Sequence, residues 1–156
     1  REKDNAEKSA LLPERIHLGR LSVTFDDEHW LFKTQGDLSY HDLSTKSFGY
    51  MIAETMGYRQ GRLRAFANIG YFNTDDFNSR IYYYERGLLY TFAFPMFSGE
   101  GMRYAINVRW DANSKLMFMA KLGTTHYFDR DKIGSSYQQI NHSSQTDLEM
   151  QLRWRF

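Results

Sequence analysis

The chain has 156 residues, of which 17% are aromatic, with two prolines, no cysteine and a formal net charge of +1 at pH 7. The length fits one domain, and the absence of cysteine excludes a disulfide scaffold and thiolate metal sites. The small net charge gives no bulk electrostatic case for nucleic acid, and no apolar run approaches the roughly 18 residues of a transmembrane helix.

Residues 1–14 are charged up to Ala10 and carry no strand-like alternation. We expect a flexible tail or loop remnant over 1–14 and β-strands over 15–156. The first 14 residues also lack the apolar stretch of a signal peptide. If the protein is exported, we therefore expect this sequence to be a mature form or a fragment of a longer precursor.

From Ile16 onward, apolar and polar residues alternate in segments that are separated by short polar breaks. This period of two predicts β-strands, and no long helical pattern interrupts them. The predicted strands, eight in number, cover residues 16–25, 30–40, 48–58, 63–71, 80–97, 103–111, 116–123 and 148–156. A phase change predicts a bulge near Gly19 in the first strand, and Pro95 should end the long fifth strand.

The last strand alternates without exception and ends on a carboxyl-terminal phenylalanine. Its apolar side consists of Leu148, Met150, Leu152, Trp154 and Phe156. Its other side is polar or charged throughout. Such a strand suits either the edge of a soluble sheet or the closing strand of a membrane barrel.

Two all-β architectures fit the whole pattern: a soluble barrel with its apolar face inward, and an antiparallel up-and-down transmembrane β-barrel with that face toward lipid. The positions of the largest rings favour the second architecture, because these rings lie near strand ends while Leu, Ile, Val, Ala and Met lie between. These end residues are Tyr40, Tyr58, Tyr71, Tyr104, Trp110, Trp154 and Phe156. Aromatic belts at both membrane boundaries favour the transmembrane barrel.

Four segments carry a resemblance to a known family: NTDDFNSRIYYYE at 73–85, YTFAFP at 90–95, GEGMRY at 99–104 and YFDRDKIG at 127–134. With the aromatic carboxyl terminus, they resemble the carboxyl-terminal end of large outer-membrane barrels of Gram-negative bacteria that carry helix-hairpin-helix motifs near their amino termini. The resemblance covers about residues 46–156. The helix-hairpin-helix part has no counterpart here, and the chain is far shorter than family members.

The resemblance implies an outer-membrane location and a larger barrel of which this chain would be the last part. The strand count leaves a complete barrel of about eight strands as the alternative. The implied partners are the lipid bilayer and lipopolysaccharide, the outer-membrane assembly machinery, and further barrel strands or another subunit. Leu148, Met150, Leu152, Trp154 and Phe156 would form the membrane assembly signal. No nucleic-acid contact is expected in this segment, because the helix-hairpin-helix residues are absent.

The expected function is a channel, a transport component or a scaffold, with no catalytic, cofactor or metal residues. Two alternatives stay open: a small soluble ligand-binding barrel, and an outer-membrane lipid-modifying enzyme that would use His142, Ser144 and Glu149. Arg80 and Glu85 beside the tyrosine cluster are candidates for a structural ion pair. Acidic residues in predicted loops suit turn caps better than calcium, since their spacing does not match a calcium loop; they are Asp75, Asp76, Glu100, Asp129 and Asp131.

Overall fold

The computed structural model describes residues 2–4, 11–43, 45–92 and 94–156, and its main feature is a seven-stranded antiparallel sheet. The strands of the chain are β1 (Glu2–Asp4), β2 (Leu11–Pro13), β3 (Arg15–Asp26), β4 (Trp30–Asp42), β5 (Lys46–Gln60), β6 (Leu63–Thr74), β7 (Ile81–Tyr82), β8 (Met96–Phe97), β9 (Glu100–Asp111), β10 (Leu116–Tyr127) and β11 (Ser144–Trp154). Two short 3₁₀ turns cover Phe77–Ser79 and Ser136–Gln138. Among the described residues, no helix is long and apolar enough to span a membrane.

The large sheet has the strand order β3-β4-β5-β6-β9-β10-β11, and each strand pairs antiparallel with the next. This confirms the predicted all-β, antiparallel up-and-down architecture. The sheet is open, however, where the sequence predicts a barrel of about eight strands. In the described part of the chain, the outer edges of β3 and β11 have no strand partner.

Short and long connections lie at opposite ends of the sheet. At one end, residues 27–29, 61–62 and 112–115 form tight links between neighbouring strands. At the other end, 43–45 is short, but 75–99 and 128–143 are long. We call these the short-turn end and the long-loop end.

The predicted fifth strand over 80–97 is wrong, because this region is not a strand of the large sheet. β6 pairs directly with β9, from Leu63 opposite Trp110 to Asn73 opposite Glu100, so no place in the ladder remains for it. The connection 75–99, which we call the inner segment, instead folds over one face of the sheet in its described residues, 75–92 and 94–99. Within it the two-residue strands β7 and β8 pair with each other, and Tyr90 near its tip has a positive φ of 66°.

The predicted bulge near Gly19 is also wrong. β3 and β4 pair without interruption, from Arg15 opposite Asp42 to Asp26 opposite Leu31. Since the side chains of a regular strand alternate, Leu18 lies on the face that the inner segment covers, and Leu21 lies on the opposite face. The phase change in the sequence therefore marks an apolar patch on the covered face.

The tail expected over 1–14 contains a short ladder in which β1 pairs with β2. Residues 1 and 5–10 of that tail lie outside the described residues. The ladder is a separate two-stranded sheet.

We call the covered side of the large sheet the inner face and the other side the outer face. A small apolar core fills the gap between the inner face and the inner segment. It consists of Met51, Ala53, Phe72, Ile81, Tyr83 and Phe97, with Tyr127 packed against it. The rings of Phe72 and Phe97 stack with centroids 4.8 Å apart, which attaches the end of the inner segment to β6.

Candidate functional site: the two faces of the sheet

The outer face is apolar and exposed along all seven strands. Its exposed residues include Leu21, Val23, Phe25, Phe32, Leu38, Ile52, Met56, Ile69, Ile106, Phe118, Leu122, Leu148, Met150 and Leu152. Soluble monomers rarely expose contiguous apolar patches larger than a few hundred Å². Glu54, which accepts a hydrogen bond of 3.0 Å from the Thr34 hydroxyl, is a charged residue in the middle of this face.

Aromatic rings gather toward both ends of the outer face. Toward the short-turn end, Trp30 contacts Tyr58 with centroids 4.7 Å apart, and Trp110 stacks on Phe118 at 5.7 Å. Toward the long-loop end, a row of rings runs across neighbouring strands: Phe48, Tyr50, Tyr71 and Phe128, with successive centroids 6.2, 6.2 and 6.5 Å apart. Two aromatic bands therefore flank a zone of mostly aliphatic side chains.

The residues of the predicted assembly signal share the outer face of β11. Leu148, Met150, Leu152 and Trp154 are each more than half exposed, and Phe156 follows the end of the strand. The rings of Trp154 and Phe156 stack at 6.3 Å. Their role in membrane assembly stays a prediction.

The inner face carries a buried ion cluster around Glu85. The Glu85 carboxylate accepts two hydrogen bonds from the Arg103 guanidinium, at 2.6 and 3.0 Å, and lies 3.0 Å from the Lys121 ammonium. Arg103 also pairs with Asp147 at 3.0 Å, and Lys121 lies 3.8 Å from Glu149. The Glu85 side chain is 0% exposed, so the cluster joins the inner segment to Arg103 on β9 and Lys121 on β10 through charges withdrawn from water. The contacts to β11 run through the partly exposed Asp147 and Glu149.

Arg103 and Lys121 each alternate with apolar residues along a predicted strand, which puts them on its polar face, but the alternation does not show what covers them. A usable signal was Glu85 itself, a lone carboxylate directly after three tyrosines in a segment read as a strand. Glycine at position 123 belongs to the same arrangement. A Cβ there would collide with the Arg103 guanidinium, which crosses the backbone of β10 at this point.

Two amide side chains hold the tip of the inner segment against the sheet. Asn107 on β9 donates to the Gly87 carbonyl oxygen at 3.2 Å. Gln151 on β11 accepts from the Leu89 backbone N–H at 2.9 Å and donates to the Leu89 carbonyl at 3.2 Å. The tip is therefore attached to both sides of β10.

Arg80 and Glu85, the candidate structural pair, have different partners in the structure. Arg80 donates to the Tyr82 hydroxyl and to the Phe77 carbonyl, both at 2.9 Å, and its guanidinium lies over the Phe77 ring. Glu85 pairs with Arg103 and Lys121. Both residues fix the inner segment, but Arg80 does so locally and Glu85 across the sheet.

The acidic residues of the long-loop end act as turn caps and ion-pair partners. Asp76 accepts hydrogen bonds from the Ser47 hydroxyl and from the backbone N–H groups of Asn78 and Ser79. Burial raises the pKa of Asp76, but these hydrogen bonds outweigh it and hold the pKa below its ordinary value of 3.8. Asp129 pairs with Arg130 at 2.7 Å, and this contact lowers the pKa of Asp129.

The residues considered for a hydrolase site do not converge. Ser144 contacts His126 at 2.5 Å on the outer face of β11, whereas Glu149 lies on the inner face of the same strand. His142 is an exposed residue of the connection 128–143. Side chains on opposite faces of one strand cannot form a nucleophile, base and orienting acid in contact.

Among the described residues, no group of three or more His, Cys, Asp or Glu side chains could hold a metal ion. No family model, curated protein or solved structure matches this chain. The resemblance to helix-hairpin-helix barrel proteins of Gram-negative bacteria therefore stays a prediction.

Proposed function

We propose that the sheet is part of the wall of a transmembrane β-barrel in a bacterial outer membrane, and that the protein is a channel or transport component. The observation that carries this proposal is the inverted distribution of side chains. Aliphatic and aromatic side chains are exposed on the outer face, while Glu85, Arg103 and Lys121 are buried on the inner face. In a lipid bilayer, the apolar side chains of the outer face would not be exposed to water.

The dimensions of the sheet agree with this proposal. A membrane-crossing strand needs about 9–11 residues, and the seven long strands have 11 to 15. The two aromatic bands fit the water–lipid boundaries on either side of the aliphatic zone. The open edges of β3 and β11 would pair with further barrel strands or another subunit, since lipid cannot satisfy unpaired backbone groups.

Connection lengths favour one orientation. Membrane barrels have short periplasmic turns and longer extracellular loops. The short-turn end would face the periplasm, and the connections 75–99 and 128–143 would start on the outer, lipopolysaccharide-bearing side. The inner segment then folds back into the lumen and narrows it. A pure scaffold is the second role that this wall would suit.

Leu21 and Ser22 provide a matched test, because they are neighbours on β3, both exposed, on opposite faces of the sheet. Lysine near the midplane on the lipid side costs about 2–4 kcal/mol, whereas exposed positions of a soluble sheet tolerate substitution within about 0.5 kcal/mol. We expect Leu21→Lys to reduce the fraction that folds into lipid vesicles, as measured by heat-modifiable gel migration, and Ser22→Lys to fold like the parent protein. Equal behaviour of the two variants, or a parent that stays soluble without detergent, would overturn the proposal.

A conductance measurement separates the channel from the scaffold. We expect the folded protein, with all its partner strands, to give discrete current steps in a planar bilayer. Heat-modifiable protein that gives no current would assign the scaffold role.

A further inference from the structure

Three arginines occupy one cross-strand row on the inner face near the short-turn end. Arg59 on β5 lies directly opposite Arg64 on β6, and Arg64 lies directly opposite Arg109 on β9. Side chains at such positions start from Cβ atoms about 4.5–5.5 Å apart, and like charges there destabilise the sheet. Repulsion within this row therefore lowers the stability of the sheet, and the fold by itself gives no reason for three arginines at these positions.

A fourth arginine reaches the same place from the inner segment. The Arg86 guanidinium lies 4.0 Å from the centroid of the Phe66 ring, two residues after Arg64 on β6. The hydrogen bond from Asn107 to the Gly87 carbonyl fixes the backbone beside Arg86. The four arginines line a cavity of about 270 Å³ between the sheet and the tip of the inner segment.

Carboxylates neutralise only half of this charge. Arg59 pairs with Asp26, and Arg109 pairs with Asp111 at 2.9 Å. No ion pair with a described residue involves Arg64 or Arg86. The Nε atom of Arg59 is also buried without a hydrogen-bond partner in the described part of the chain. The guanidinium groups of Arg64 and Arg86 thus line the cavity without an ion-pair partner among the described residues.

We propose that this cavity binds a phosphate group. Guanidinium groups are planar and permanently charged, and they bind the oxygens of phosphate in pairs of parallel hydrogen bonds. Arg64 and Arg86, which form no ion pair with a described residue, carry two positive charges that match a phosphate dianion. The volume suits a free phosphate ion or the phosphate of a lipid headgroup, and it lies below the range of about 300–1,000 Å³ typical of drug-sized ligands. The site does not depend on the membrane proposal, because its residues belong to one face of the sheet and to the inner segment.

Arg64→Gln and Arg62→Gln form a matched pair for the test. Each removes one positive charge, but Arg62 lies in the turn after β5 and donates to the Ala112 carbonyl at 2.6 Å, away from the cavity. The experiment is isothermal titration of the detergent-solubilised protein with inorganic phosphate, and in a second arm with a short-chain phosphatidic acid. Constant ionic strength keeps general screening equal in all samples.

We expect saturable binding by the parent protein and by Arg62→Gln, and at least tenfold weaker binding by Arg64→Gln. Saturation in the first arm identifies free phosphate as a ligand, and saturation only in the second identifies a lipid headgroup. Absence of saturable binding in both arms, or equal losses in the two variants, would overturn the proposal.

Thermal unfolding separates a binding role from a structural one. Without phosphate, Arg64→Gln should raise Tm, since it relieves repulsion within the row. Added phosphate should raise the Tm of the parent protein by mass action, and it should raise the Tm of Arg64→Gln by less at the same phosphate concentration. If Arg64→Gln lowers Tm without phosphate, the arginine stabilises the fold and the argument from repulsion is wrong.

Discussion

The outer and inner faces are built from the same seven strands, yet they satisfy their side chains in opposite ways. The inner face carries charges, and a segment of the same chain covers them with partners such as Glu85 for Arg103 and Lys121. The outer face carries apolar side chains that the described residues leave uncovered. On the inner face, where protein excludes water, the chain itself supplies partners for the buried charges. On the outer face, the stability of the exposed apolar side chains depends on what surrounds the protein.

The largest effect should come from removing the central carboxylate of the inner face. Glu85→Ala leaves the buried Lys121 with only the 3.8 Å contact to Glu149, and breaking a buried pair on one side costs about 3–5 kcal/mol. Glu149→Ala is the control, since Glu149 is 39% exposed and its loss should cost about 1 kcal/mol or less. Urea unfolding in detergent measures both, and equal losses would contradict the central role of Glu85.

A smaller effect should follow when the tip of the inner segment is released. Gln151→Ala removes both hydrogen bonds to the backbone of Leu89, which should lower the local stability of the tip by about 1–3 kcal/mol. Gln145→Ala changes the same residue type on the same face of β11, at an exposed position. Amide hydrogen exchange at Leu89 should accelerate in the first variant only. Unchanged exchange in Gln151→Ala would mean that other contacts hold the tip.

Glu54 is a charged residue on the apolar outer face, and its replacement tests whether lipid surrounds that face. If lipid surrounds this face, a carboxylate in mid-strand destabilises the folded protein by less than the roughly 2–4 kcal/mol of a lysine. Glu54→Leu should therefore raise the free energy of unfolding in lipid vesicles by up to about 2 kcal/mol. Glu28→Leu, in the exposed turn before β4, should leave the free energy of unfolding unchanged. Unfolding titrations in vesicles decide this, and a loss of stability in Glu54→Leu would mean that the hydrogen bond from Thr34 outweighs the cost of the carboxylate on this face.

The smallest effect should be pH-dependent and lie at the long-loop end. The pKa of Asp76 is lowered in the folded state, so its contribution is present above the ordinary value of 3.8 and is lost as pH falls through the lowered pKa. Asp76→Ala should cost about 0.5–2 kcal/mol at pH 7, as for other lost caps, and this difference should vanish in strong acid. Asp131→Ala, at an exposed loop position, should behave like the parent protein at every pH. A deficit that persists after the folded Asp76 carboxyl group is protonated would exclude its negative charge as the cause.

Much of the strand pattern was predictable from the sequence, because alternation along each strand is a local property. A period of two directly predicts the apolar outer-face residues of β11, and it also predicts the strand at 116–123. The fifth strand was not predictable in this way. Its residues Leu88, Tyr90, Phe92 and Met96 alternate like those of a strand, but the choice between pairing β6 with this segment or with β9 depends on contacts distant in sequence.

The candidate sites likewise combine features that follow from local alternation with features that depend on contacts distant in sequence. The sequence by itself determined that one face of the strands is apolar and that the other is polar or charged. Only the tertiary structure decided that Arg59, Arg64 and Arg109 are neighbours in one row. It also decided that the inner segment places Arg86 and Glu85 against the same face. The physical reason is that side-chain direction repeats every two residues, whereas register and the path of a 25-residue connection are set by buried charges and packing far along the chain.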